Sequence, residues 1–339
     1  ELSEQILDKF LETLDPNRHF FLRSDIEAFD KYRFELDNAL RSGEPEVAFE
    51  IFKLFRERVE NRIDFAIKKL DQSFDFTKDE MYLFDREKAP WAESLTELDD
   101  IWRKRVKNDY LTQKLSGTEQ DEIRKNLTKR YEGVLRRTKQ LHADDVFQLF
   151  LNAYTIVVEP HTGYMSPRAS ENFDINMRLS LQGIGAVLMA EDEFTKVQSV
   201  VAGGPAEKSG QIKSGDKIVG VAQGIDGEME DIIGWSLSDV VQQIRGDKGS
   251  IVRLNIVPKK SGVGAPPKEI VIVRDEIKLE DQAASSEIIE NIDGLEGLKI
   301  GVIEIPAFYR DFEAMQKNDP DVRSTTRDVK VLLTELQSK

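Results

Sequence analysis

The sequence predicts a multidomain α+β protein. An all-α N-terminal domain is followed by a small β-barrel or sandwich with two helices, and then by the opening strand and helices of an α/β core. Three observations lead there. Residues 1 to 158 read as one amphipathic helix after another. Past Glu159, short β-branched runs spaced by Gly, Ser and Asp replace the helical period. The chain of 339 residues is also longer than one hydrophobic core usually spans.

In the first region Ile6, Leu7, Phe10, Leu11 and Leu14 recur at helical spacing, and "DPN" at Asp15 to Asn17 ends that helix. "SDIE" at Ser24 to Glu27 has the form of a capping box, with Ser24 as the expected cap. That helix is expected to run to "RSGEP", where Gly43 and Pro45 stop it. Further helices are expected over Glu46 to Leu70, Leu95 to Leu115, Glu119 to Leu141 and Asp144 to Val158. Their apolar faces either form a bundle or dock a partner.

The second region offers strands at "GAVLMA", "TKVQSVVA", "DKIVGVA", "SIVRLNIV" and "EIVIVRDEI". One helix lies among them, "SLSDVVQQIRG", with Leu237, Val240, Val241 and Ile244 at i, i+3, i+4 and i+7. "PKKSGVGAPPKE" reads as a solvated hairpin connection. After Ile277 an acidic, linker-like stretch leads to the strand "LKIGVIEIP" and two helical segments.

Composition excludes several functions. With 48 basic against 63 acidic residues the net charge is −15, which argues against a nucleic-acid partner. No cysteine is present, so a thiol nucleophile, a disulfide scaffold and a Cys-ligated zinc site are excluded. No apolar run approaches the ~20 residues of a membrane span. The first residue is Glu, and no signal-peptide core precedes it, as expected of a processed or truncated chain. There is no G-x-S-x-G elbow, Walker A loop or H-E-x-x-H motif. His19, His142 and His161 lack ligand spacing, so neither a metal nor a cofactor is expected. His161, after Pro160, is expected to make a structural hydrogen bond.

"RLSLQGIGAVLMAEDEF", Arg178 to Phe194, sets Gly183-Ile184-Gly185-Ala186 between two strand-like segments. Such a turn exposes successive backbone N–H groups and suits an anion, or it is a plain tight turn. "VVAGGPAEKSGQIKSGDKIVGV", Val200 to Val221, then resembles the core signature of PDZ domains through Pro205, Ala206, Ile212, Gly215, Asp216 and Ile218. The helix of residues 236 to 245 falls where the second PDZ helix belongs. This resemblance implies that a peptide tail adds as a strand beside "GAVLMA". Its carboxylate would take the N–H groups of Ile184, Gly185 and Ala186, at a loop opened by Gly183. Its last side chain would fill a pocket lined by Ile184, Ala186, Leu188, Leu237 and Val241, with Val240 and Ile244 in the core.

The wider chain resembles the carboxyl-terminal processing proteases and looks like the larger periplasmic members known as tail-specific proteases. "EPHTGYMSPR" matches their "DPH[ST]xYLSP" element, with Glu159 in place of the usual Asp. "KAPW" at Lys88 to Trp91, "SLQGIGAVL", "DIIGWSLSDVV" and "KLEDQA" match in order. The resemblance implies a helical domain over residues 1–170, a PDZ domain over 178–275 and the start of a protease core over 276–339. It implies the substrate-recognition portion of a serine endopeptidase that reads apolar C-terminal tails of periplasmic proteins, with an adaptor lipoprotein as a further partner. Cleavage in that family uses a Ser–Lys dyad beyond a "DLRxNGGG" turn. The sequence ends at "LLTELQSK" before such a turn, so no catalytic residue is carried over. A non-catalytic PDZ-containing adaptor or scaffold is the alternative. A trypsin-fold protease with a PDZ domain is disfavoured, because its triad motifs are missing.

Overall fold

A computed structural model of the chain describes residues 2–43, 45–261, 266–290, 299–320 and 322–338. These fall into two compact units, Glu1–Ser166 and Pro167–Lys339. The architecture is α+β, with a helical N-terminal part and antiparallel sheets in the second unit.

The first unit holds α1 (Leu2–Leu14), α2 (Arg23–Phe29), α3 (Leu36–Ser42), α4 (Glu46–Leu70), α5 (Leu95–Leu115), α6 (Gln120–Lys139) and α7 (Ala143–Val158). The apolar stripe of α1 is buried as its spacing requires, and Phe10 meets Phe150 of α7 edge to face at 5.4 Å. Asp15 of the "DPN" turn is itself buried. Its carboxylate accepts the N–H groups of His19, Phe20 and Phe21 at 2.8, 2.8 and 3.0 Å, which turns the chain sharply after α1. The buried Trp102 donates its indole N–H to the His19 carbonyl at 2.6 Å. "KAPW" packs Trp91 against Phe21, with the Arg18 guanidinium over its ring.

One start signal lies elsewhere than expected. The N-cap of α2 is Leu22, not Ser24, and the carboxylate of Asp25 accepts the Leu22 N–H at 2.9 Å. Ser24 and Asp25 are both good cap formers. Asp25 takes the role because Arg58 of α4 grips the same carboxylate with two hydrogen bonds of 2.9 and 2.7 Å. At the end of α7, Glu159 accepts from the His161 and Thr162 side chains at 2.7 Å each, so His161 holds a local turn.

The second unit begins with α8 (Pro167–Arg178), a helix that the sequence reading does not contain. Ile175 is its one buried residue. There follow β1 (Ser180–Gly183), β2 (Ala186–Glu191), β3 (Phe194–Val200), α9 (Pro205–Ser209), β4 (Lys217–Gln223), β5 (Glu230–Asp231), α10 (Leu237–Ile244), β6 (Ile251–Val257), β7 (Lys268–Val273) and β8 (Asp275–Lys278). The main sheet runs in the order β2-β3-β4-β6-β7, with β5 beside β4, and every pairing is antiparallel. β1 pairs instead with β8. Its core joins Val197, Ile212, Ile218, Leu254, Ile256 and Ile270 with Val240 and Ile244 of α10. Asp216 explains the "G-D" of the signature: buried, it accepts the N–H of Lys213 at 2.8 Å and of Lys259 at 3.0 Å, tying two loops together. Residues 262–265 of the expected hairpin connection lie outside the described residues.

The stretch after Ile277 is not only a linker. It carries β9 (Ser285–Ile289), antiparallel to β10 (Ile300–Glu304), before α11 (Phe312–Gln316) and α12 (Thr325–Gln337). The alternate residues of β9 are mostly polar, so no hydrophobic run marks it. Residues 291–298 lie outside the described residues.

Candidate peptide-binding site

β2 is an outer strand of the main sheet, and α10 packs across the sheet near it. The loop from Gly183 to Ala186 feeds this strand. Its backbone is held from one side only: the Ile184 carbonyl accepts from Ala206 at 2.7 Å, and the Gly185 carbonyl accepts from Val201 at 2.9 Å. Among the described residues no protein group accepts a hydrogen bond from the N–H of Ile184 or of Gly185. Two consecutive backbone donors left over at the mouth of a strand make a nest for an anion.

Gly185 explains why the loop needs glycine. Its φ is +71°, a left-handed conformation that L side chains rarely adopt. A Cβ there would also stand 3.2 Å from the Gly204 Cα and 3.2 Å from the Ile277 Cγ1. Conformation and close approach therefore both disfavour a side chain. Gly204 belongs to the "AGGPA" turn, so the two glycine motifs of the sequence meet backbone to backbone.

The structure brings the expected lining residues to two places. Ile184 is 2% exposed and belongs to the core, where Ala186 and Leu188 pack against the same cluster. On α10, Val240 and Ile244 turn inward, whereas Leu237 and Val241 turn away from the core. Leu237 and Val241 line a cavity of about 380 Å³ whose opposite wall is α8. Ser236 caps α10 through the Asp239 N–H at 3.1 Å. The far end of α10 is closed by the buried Arg274. Arg274 lies on the strand side and donates to the carbonyls of Ile244 at 2.8 Å and Gln243 at 2.9 Å. Sequence reasoning missed Arg274 and the α8 wall. A basic residue between two strands looks solvated until the helix end it serves is placed.

The first half of this architecture matches a defined family. Residues 1–168 match the model of the tail-specific protease N-terminal domain, and residues 172–257 match that of the PDZ domain. The whole chain is 38% identical over 340 residues to the tail-specific protease of Haemophilus influenzae. The N-terminal half is a tail-specific protease N-terminal domain, and a PDZ domain follows it. The chain spans less than half, 46%, of the length of that relative. A carboxy-terminal-processing protease of Bartonella bacilliformis is 32% identical over 129 residues, 38% of this chain and 27% of its own length. Among solved structures, the PDZ domain of a carboxy-terminal protease from Vibrio cholerae, in complex with a peptide, is 50% identical. It covers 30% of this chain and 100% of its own, with a TM-score of 0.28.

Proposed function

We propose that this chain is the substrate-recognition part of a tail-specific serine endopeptidase, which captures apolar C-terminal tails between β2 and α10. The observation that carries the proposal is the pair of unshared N–H groups at Ile184 and Gly185, set at the start of an outer strand in a PDZ domain. A peptide strand added along β2 takes main-chain hydrogen bonds, its carboxylate takes the loop donors, and Leu237 and Val241 face its last side chain. Charge-assisted hydrogen bonds contribute roughly 1.5–3 kcal/mol each, and one buried apolar side chain about as much. Lost translational and rotational freedom opposes this by at least ~4 kcal/mol, so affinity on the order of micromolar is expected.

Cleavage by a Ser–Lys dyad, with a desolvated Lys as base, is the chemistry proposed for the protein as a whole. Its proteins of interest are periplasmic, and an adaptor lipoprotein is proposed to dock on the N-terminal helices. The deciding experiment is fluorescence anisotropy of residues 1–339 with a labelled peptide ending in an apolar residue, beside its C-terminally amidated twin. The free acid is expected to bind and the amide to bind far more weakly. Equal binding would reduce the Gly183–Ala186 loop to a structural turn.

A further inference from the structure

Arg245, the residue that ends α10, has surroundings that a surface arginine does not have. Its stem runs over the peptide loop: a Cβ built on Gly183 would stand 3.8 Å from both the Cα and the Cγ of Arg245. Its head lies in the cavity between α8 and α10. There it continues the stripe of Leu237 and Val241 at i, i+4 and i+8, and faces Arg168, Glu171 and Asn172 of α8.

The guanidinium is half-buried and poorly partnered. Nη1 donates to the Asn172 Oδ1 at 2.7 Å, a neutral amide. Among the described residues no carboxylate lies within 4.0 Å of it. The neighbouring cation Arg168 is different, paired with Asp239 at 2.9 Å and donating to Ser238 at 3.1 Å. Burial pushes Arg245 below the ordinary arginine range, the charge of Glu171 opposes that, and Arg178 adds repulsion. A guanidinium has five N–H donors and stays charged in proteins, so a half-buried one with no carboxylate within ion-pair distance has donors left to fill.

We propose that Arg245 is a carboxylate-binding residue of the peptide groove, holding an acidic group of the bound tail together with the N–H groups of Ile184 and Gly185. The inference rests on the tail-binding reading and adds a side-chain anchor to it. The loop, the apolar stripe and the cation meet at one end of α10. A tail whose last side chain lies against Val241 therefore brings its carboxylate to Gly183 and Arg245 together. The carboxylate is either the terminal one or that of an acidic side chain just before it, since a fork of donors accepts both.

The test is anisotropy of the whole chain with three peptides: an apolar-ended free acid, its amide, and the same free acid with Asp at the penultimate position. Wild type, R245Q and R245K are compared, with thermal melts to confirm folding. Discrimination between acid and amide by wild type tests the tail-binding reading by itself. R245Q is expected to weaken one or both free acids about 10-fold or more, leaving the amide unchanged, as expected for loss of a charge-assisted pair. R245K is expected to restore part of that difference. Loss confined to the Asp-containing peptide would assign the side-chain carboxylate as the ligand. If wild type discriminates and R245Q binds all three peptides as wild type does, or weakens acids and amide alike, Arg245 only fastens α8 to α10 and the proposal is overturned.

Discussion

Arg274 donates its Nε proton to the carbonyl of Ile244 at 2.8 Å, and so ties the junction just after β7, the last strand of the main sheet, to the last turn of the groove helix. The same guanidinium reaches Gln243, Gln223, Ser250 and Ile251. It supplies the donors that the orphan carbonyls at a helix end need, and it fixes where α10 stops relative to the sheet.

Arg274→Ala is therefore expected to destabilise the second unit by about 2–4 kcal/mol, because one buried and several part-buried acceptors lose their donor at once. Hydrogen exchange of the α10 amides checks this. Their protection should fall while that of α4 and α5 in the first unit is unchanged. Arg274→Lys should recover only part of the loss, since one ammonium cannot span both sides of the helix end.

Gly185→Ala is expected to cost about 2–4 kcal/mol, from left-handed backbone strain plus overpacking. Gly203→Ala provides the comparison. Its φ of +73° is nearly the same, but no atom lies within 4 Å of an added Cβ. That variant should lose only the conformational part, about 1–2 kcal/mol. Equal losses in the two variants, read from denaturant unfolding of the second unit, would remove the packing argument at Gly185.

The first unit should weaken in acid through His19. Burial, with the charges of Arg105 and Arg86 nearby, lowers its pKa from 6.5 to about 3, and its Nε2 is buried without a partner among the described residues. The unfolded chain binds the proton first, so this contribution is complete above pH 6.5 and lost as pH falls toward 3. The slope from this one group is at most about 1.4 kcal/mol per pH unit. His19→Phe should flatten the acid limb of a stability–pH curve by one proton. An unchanged slope would assign the acid sensitivity to other groups.

Val241→Glu places a carboxylate one helical turn before Arg245, the orientation that favours an i,i+4 pair. Because Val241 turns away from the core, folding should survive within about 0.5 kcal/mol. Free-acid peptide binding should fall at least about 10-fold, since the internal carboxylate competes for the same guanidinium and removes an apolar contact. Retained affinity in anisotropy would separate this face of α10 from the groove.

How much was legible depended on where each signal is stored. Leu237, Val240, Val241 and Ile244 carry their helix and its phase in a run of eight residues, so both were readable from the chain. The glycine at 185 and the "GGPA" turn were visible as motifs, but not as the two surfaces of one contact. α8 and β9 were not read: β9 has no apolar run, and α8 is a short, mostly polar segment that buries only Ile175. α8 is held by Arg168, Asn172 and Ile175, two of them through polar contacts to α10. Polar side chains on a helix carry no periodic signature of their partners.

By itself the sequence determined the α+β division, the helices of the first half, the strand order of motifs in the second and the glycine loop that opens the site. These are local properties: propensity, period and turn chemistry act over a few residues. Tertiary structure decided that Asp25 and not Ser24 caps α2, because Arg58 arrives from α4. It decided that Arg274 closes α10, and that Arg245 stands beside Gly183 without an acidic partner. Each of those depends on which distant charge or carbonyl the fold brings within about 3 Å, the distance at which a hydrogen bond forms.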